Sequence, residues 1–337
     1  MSSSIVKKAL SVATGGNLAD WLPEPLANDV IAYIRDINQL RNLVSIFNMT
    51  DRTMKRPKKS SGLSAYHIPD GATGTTTEFT TTYVEFVAKK LMAYTMIDEE
   101  AVEDTKTLPN IIDMILKDFA EAIAYAEELV MTAGDPTHTA TATTPDVATS
   151  SNWYLRDPRV MFYGLFTYSD TSINTSAADE VDGGSAAIEM ELFNKAIYNL
   201  GKYGRIKANL AALVPSAQAT NIRGNSKFYD ATAAGIQMAS FLSGLGGAAE
   251  GTGKAKGVVT SAYGIPVYEV PHAPSSEAVV YYKPSPALGD RRMIKIKSDE
   301  VIESDQRKYV VSERISFNYL YEDALCKIDD LSTDIVT

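Results

Sequence analysis

The sequence predicts an α+β fold, and three observations carry that expectation. Residues 109–133 present one continuous apolar face at helical spacing. Residues 277–331 hold successive runs that alternate or are wholly apolar, as strands are. Between the N-terminus and the long helix, residues 51–87 read as a threonine-rich hairpin with little core of its own.

At 337 residues the chain is long enough to bury a sizeable core, in one large domain or two ordinary ones. A hydrophobic content of 45% with 22% charged residues suits a soluble globular protein. With 42 acidic against 32 basic residues the net charge is −10, which disfavours a general affinity for nucleic acid, since phosphate binding needs a surplus of Lys and Arg. The single cysteine, Cys326, excludes an intrachain disulfide and reads as a buried, inert thiol in a strand-like run. "MSSSIVKKALSVATGG" has too short an apolar run for a signal peptide, and no stretch approaches the ~18 apolar residues of a membrane span. A soluble chain synthesised in the cytoplasm is expected.

Taken in order, residues 1–22 read as an extended arm. Pro25 suits a first helical turn, and Leu26, Val30, Ile34 and Ile37 step by three and four along one face. The next segment opens with five basic residues, Arg52, Lys55, Arg56, Lys58 and Lys59. It then passes through the turn signal "PDGATG" into a strand where Phe79, Thr81, Tyr83, Glu85 and Val87 share a face. An isolated hairpin is marginal in water, so this arm is expected to lie on something other than its own domain. The helix at 109–133 has Pro109 in its first turn, Gly134 at C′ and Pro136 beyond. Ile112, Ile115, Phe119, Ala122, Ile123, Ala126 and Leu129 form its apolar face. About 25 residues at ~1.5 Å each make a rod of roughly 37 Å. Residues 135–187 read as a loop-rich insertion around one apolar island, "RVMFYGLFTYS".

From residue 188 a helix ends near Gly201 or Gly204, a buried strand follows at "ANLAALVP", and a glycine-rich stretch leads to "AYGIPVYEVPHAP". Gly264 there permits a tight turn, and Pro266 fits an edge or first-strand position. In the last strands Tyr309, Val311, Ile315, Phe317 and Tyr319 face one way and Ser312, Arg314, Ser316 and Asn318 the other. Glu313 is the one interruption of the apolar face.

Catalytic and metal chemistry is not written here. His67, His138 and His272 lie in three separate segments, and no zinc-type spacing exists. "GTGKAKG" satisfies neither the P-loop nor the dinucleotide pattern, and no nucleophile elbow occurs. The acid cluster 98–104 suits a helix N-terminus better than a cation. The basic run 52–59 lacks the interleaved aromatics of a single-strand binder, and an acidic surface of a sibling chain is the favoured partner over nucleic acid. No cofactor and no enzymatic activity are expected.

The order of these segments resembles the major capsid proteins of tailed bacteriophages, the Hong Kong 97 fold. Five stretches carry the likeness: "GGNLADWLPEPLANDVIAYIRDINQLRNLV", the hairpin 51–87, "AKKLMAYTMIDEEAVEDT" feeding the long helix, "LAALVPSAQATNIR" with "VVTSAYGIPVYEV", and "YVVSERISFNYLYEDALCKI". The resemblance implies an N-terminal arm and first helix (1–50), an extended E-loop (51–90), a peripheral P-domain (91–187 and 290–318) with a spine helix at 109–133, and an axial A-domain (188–289 and 319–337). It implies self-assembly into pentamers and hexamers of an icosahedral virion shell enclosing double-stranded DNA without sequence-specific binding. Arg52, Lys55, Arg56, Lys58, Lys59, Phe79 and Tyr83 are then candidates for contact between subunits. Gly244, Gly246, Gly247, Gly251 and Gly253 would lie in a loop near the capsomer axis, and Gly264 and Pro266 would form a structural corner. A portal, a scaffolding protein encoded separately and a possible decoration protein are implied partners, and no membrane is. The Lys–Asn pair that crosslinks some family members is not assigned. The alternative is an encapsulin-type shell around a cargo enzyme.

Overall fold

The computed structural model describes residues 40–61, 80–98, 111–137, 158–225, 258–301 and 306–334. The arm at 1–22, the helix expected at 26–37, the turn "PDGATG" and the acid cluster beyond Asp98 lie outside them, as does the glycine-rich stretch 244–257. So do His67 and His138.

A 3-10 turn, Leu40–Leu43, leads into β1 (Ser45–Asn48). The hairpin β2 (Thr53–Ser61) and β3 (Thr80–Val87) follows, then β4 (Lys89–Asp98) and helix α1 (Ile111–Ala133). The apolar island gives the short helix α2 (Leu165–Tyr168), and β5 (Val181–Ala186) and α3 (Met190–Asn199) come next. β6 (Leu210–Val214) and α4 (Ser216–Gly224) precede the hairpin β7 (Val258–Ala262) and β8 (Ile265–Glu269). β9 (Ala278–Tyr282), β10 (Pro286–Val301), β11 (Gln306–Tyr319) and β12 (Leu325–Leu331) complete the chain.

The strands form two main sheets. One has the order β1-β10-β11-β4, with β1 parallel to β10 and the other pairs antiparallel. The other is six-stranded and mixed, in the order β5-β12-β9-β6-β8-β7. Its central strand reads "LAALV" because both its faces are covered. Leu210, Ala212 and Val214 pack with α3 and α4, while Ala211 and Leu213 pack on the opposite side. That second side is shared with Val130 and Met131 of α1, Leu165 and Phe166 of α2, and Ile315, Phe317 and Tyr319 of β11. One core thus ties the two sheets together through the C-terminal end of the long helix. Its buried tyrosines satisfy their hydroxyls locally: Tyr319 donates to the Tyr163 carbonyl at 3.1 Å and Tyr281 to that of Leu43 at 3.3 Å.

The rest of α1 lies along one face of the four-stranded sheet, with Phe119, Ala120, Ile123 and Ala124 against Leu91, Ile296, Tyr309 and Val311. The buried stripe is rotated from the one expected. Ala122 is exposed and Leu129 only half-buried, while Glu127 sits in the interior. Residues 158–186 also differ from expectation. They are no loose insertion, since Phe162, Leu165, Phe166 and Val181 enter the core and β5 pairs with β12. Ser312 and Ser316, on the polar face of β11, are buried as well. At the body end of the sheet the base of the β2–β3 hairpin lies over that face: the Asn318 amide donates to the Glu85 carbonyl at 2.8 Å.

The corner "AYGIPVY" is a two-residue hairpin turn, with Ala262 opposite Ile265. Tyr263 at φ 51° and Gly264 at φ 83° both have the positive φ of a type I′ turn. β8 is an inner strand rather than an edge. Pro266 is tolerated because the β6 pairing begins only at Val267, so no ladder donor is lost on that side. A Cβ on Gly264 would meet little, Lys207 Cδ at 3.9 Å being its nearest neighbour, so the cost of Gly264→Val is conformational. Its expected loss is roughly 1–2 kcal/mol, seen as a lower urea midpoint. An unchanged midpoint would contradict the turn assignment. Among the described residues no helix is long and apolar enough to cross a membrane.

Candidate assembly interface

The hairpin has two unlike faces, fixed by its register. Met54 opposite Phe86 and Arg56 opposite Val84 point to the body, and Lys55 opposite Glu85 and Pro57 opposite Tyr83 point away. Val84 and Phe86 are buried with Met49, Ala88 and Ala287. Burial of each such side chain is worth about 1.5–3 kcal/mol, enough to hold the hairpin base on its own subunit. The expectation that the whole arm lacks a core of its own is therefore corrected for its base. The outward face keeps Tyr83 60% exposed and Val87 37% exposed.

The candidate contact residues separate along the same division. Arg52 and Lys55 are exposed, and the Lys55 ammonium stands 4.3 Å from the centre of the Tyr83 ring. Arg56 turns inward and covers the Phe47 ring at 4.7 Å. Lys58 pairs with Glu322 of the same chain at 3.3 Å, a half-exposed bridge of small energetic value. Lys59 belongs to β2, and Phe79 lies outside the described residues, as do Gly244, Gly246, Gly247, Gly251 and Gly253. Gly264 and Pro266 sit together in the β7–β8 corner.

The structure also gathers a constellation that the sequence hints at only through Glu313. Arg41, from the turn before β1, pairs with Glu127 of α1 at 2.5 Å and with Asp290 of β10. Glu313 of β11 lies beside Glu127 and shares a hydrogen bond with it. All four residues are buried. Burial disfavours the charge on Arg41, but Glu127 and Asp290 outweigh it and hold the guanidinium pKa above its ordinary value. For Glu313 burial acts first, and the charge of Glu127 adds to it. Together they hold its carboxyl well above the ordinary range, so the neutral acid is favoured. Asp290 Oδ1 and Glu313 Oε1 accept no hydrogen bond. The arrangement clamps the incoming chain, the long helix and two strands at one point.

Because the folded pKa of Glu313 is raised, its contribution to stability is fully present below its unfolded pKa near 4.5 and is lost as pH rises through the folded value. Glu313→Gln removes the ionisation. Stability measured by urea denaturation should fall less steeply with rising pH in this variant than in the parent; parallel pH profiles would contradict a buried neutral acid.

Lys327, buried in β12, is held by Glu277 at 3.0 Å, Asp170 at 3.3 Å and Asp329 at 3.6 Å. Burial pushes the Cys326 thiol up to about 12, and its S–H donates to the Asp179 carbonyl at 3.2 Å, as an inert thiol would. His272 packs edge-on against Tyr125 of α1 with ring centres 4.3 Å apart. Among the described residues no group of three His, Cys, Asp or Glu could hold a metal.

The phage capsid family matches residues 19–153. No curated protein shows a sequence match to the chain. Among solved structures, the procapsid of satellite phage P4 that includes its size determination protein matches at a TM-score of 0.53 and 13% identity, covering 90% of this chain and 99% of that one. The capsid of a native GTA particle matches at 0.58 and 14% identity, covering 88% and 91%. Mycobacterium phage Cain matches at 0.56 and 14% identity, covering 89% and 91%. The likeness to phage capsid proteins read from the sequence holds in fold over nearly the whole chain, and the family match covers residues 19–153.

Proposed function

We propose that this chain, which has the fold of phage capsid proteins, is the major capsid protein of a tailed-phage head. Copies assemble into pentamers and hexamers that close an icosahedral shell around double-stranded DNA. The observation that carries this reading is the extent of the fold likeness, which takes in nearly all of this chain and nearly all of its capsid counterparts.

In this reading residues 1–50 are the N-terminal arm and first helix, and 51–90 are the extended loop reaching a neighbour. α1 is the spine of a peripheral domain built on the four-stranded sheet, and the six-stranded sheet is the axial domain. In this reading β5 belongs to the axial domain rather than the peripheral one, a change supported by its pairing with β12. The function requires no bond-making. The exposed hairpin face with Tyr83 and Val87 gains its burial only on another copy, and symmetry repeats that gain at every subunit. Arg52 and Lys55 meet a sibling whose net charge is −10. The same acidity leaves packaged DNA loosely held, because few counterions are released on contact. A scaffolding protein, a portal and a decoration protein are the further partners of this reading, and the mature chain resides in the virion.

The test is negative-stain microscopy of the purified protein with a nuclease-protection assay on material from infected cells. Closed shells with protected DNA are expected. Shells that instead contain a co-purifying enzyme would reassign the chain to a protein nanocompartment, and single compact particles at high concentration would overturn the shell reading.

A further inference from the structure

β4 contains the run "KLMAYTMID", residues 90–98, which is complementary to itself about Tyr94. Moving outward from the centre, Ala93 is matched by Thr95, Met92 by Met96, Leu91 by Ile97, and Lys90 by Asp98. This strand is also the end strand of its sheet. Among the described residues it pairs only with β11, in unbroken register from Lys89 to Asp98. Its other edge is ten residues long and holds neither proline nor bulge, and its two lysines, Lys89 and Lys90, stand together at one end, so most of the edge lacks the devices that usually blunt one.

The two faces of β4 are unequally satisfied. Leu91 is buried against α1 and Ala93 packs beside it. On the opposite face Met92 is 40%, Tyr94 38% and Met96 49% exposed. Lys308 stands 5.5 Å from the Tyr94 ring centre, and the Lys90 ammonium lies 3.2 Å from the Met92 sulfur. An apolar strip framed by cations therefore runs beside an edge that no described strand pairs.

We propose that β4 pairs antiparallel with β4 of a second copy of this chain about a two-fold axis through Tyr94. A two-fold axis normal to the sheet is the operation that sets two identical strands antiparallel with the same face outward. Centred on Tyr94, it places Met92 opposite the second copy's Met96, Leu91 opposite Ile97, and Lys90 opposite Asp98. Opposite charges facing across strands are favourable, and like charges are not. A centre at Ala93 would set Lys90 against Met96, and one at Thr95 would set Met92 against Asp98, so Tyr94 is the register that matches charge to charge and methionine to methionine. The two four-stranded sheets become one, and the Met92–Tyr94–Met96 strips of both copies join. The inference rests on the shell reading in that its occupant is a sibling subunit, and two-fold contacts between neighbours are what a closed symmetric shell provides.

Cysteine crosslinking tests it. The only native cysteine, Cys326, is buried, so Tyr94→Cys adds the sole accessible thiol at an exposed site where folding is undemanding. Facing Cα atoms in an antiparallel pair stand about 4.5–5.5 Å apart, inside the roughly 4.4–6.8 Å that a disulfide spans. Mild oxidation of assembled Tyr94→Cys protein should give a disulfide-linked dimer on a non-reducing gel. Met92→Cys alone should not, because its two copies would lie about 14 Å apart along the strands; Met92→Cys combined with Met96→Cys should. Asp98→Lys should reduce the Tyr94→Cys dimer, and adding Lys90→Asp should restore it. Shells that form while Tyr94→Cys stays monomeric, or a Met92→Cys dimer as abundant as that of Tyr94→Cys, would overturn the pairing and leave the shell reading intact. A specific Tyr94→Cys dimer without closed shells would support the pairing and count against the shell.

Discussion

Replacing Arg41 by methionine should destabilise the folded chain by about 3–5 kcal/mol, measured as the loss of unfolding free energy in urea. The guanidinium is the cation that both Glu127 and Asp290 face in the interior. Removing it takes away the cation that two buried carboxylates share, beside a third carboxyl at Glu313 that is already driven toward its neutral form. The triple variant Arg41→Met, Glu127→Met, Asp290→Leu should recover most of the loss, because exchanging a whole buried ionic group for apolar side chains is often neutral. If Arg41→Met unfolds at the same urea concentration as the parent, the cluster does not hold these elements together.

The second large effect is expected at the close approach of Gly134 and Gly164. The Gly164 amide donates to the Gly134 carbonyl at 2.8 Å, just where α1 ends and the segment carrying α2 crosses it. A Cβ on Gly164 would lie 2.3 Å from the Thr132 carbonyl oxygen and 2.5 Å from the Gly134 nitrogen; one on Gly134 would lie 2.3 Å from the Phe162 carbonyl oxygen. These are backbone atoms and cannot rotate aside. Either alanine substitution should cost at least the upper part of the roughly 1–3 kcal/mol typical of overpacking, seen as loss of soluble protein and a lowered urea midpoint. Wild-type behaviour of Gly164→Ala would contradict the packing described here.

These two sites mark where sequence reasoning stops. Periodicity located α1, β6, β9 and the β11 alternation, because core-facing positions repeat along each element by themselves. The type I′ corner was legible through Gly264. The role of Gly134 was not. It stands after the helix as a C′ glycine would, but what requires a glycine is a crossing strand of backbone thirty residues away in sequence. The charge cluster was half legible. Glu313 broke an apolar face, yet its partners Arg41, Glu127 and Asp290 look like ordinary surface residues until the fold brings four elements together. Register arithmetic sorted the hairpin residues into faces correctly, but it could not tell which face has a body to lie on. Val84 and Phe86 pack inward, and the face with Tyr83 and Val87 remains outside.

That outward face bears most directly on the claim that the chain is completed by its own copies. Amide hydrogen exchange through Thr81–Val87 and Lys89–Asp98 should be compared between unassembled subunits and assembled particles. Backbone and side chains left open in one subunit should be covered in the particle, so both segments should exchange markedly more slowly after assembly while the buried strand Leu210–Val214 changes little. Equal exchange of both segments in the two states would mean that no sibling covers them, and the account would fail.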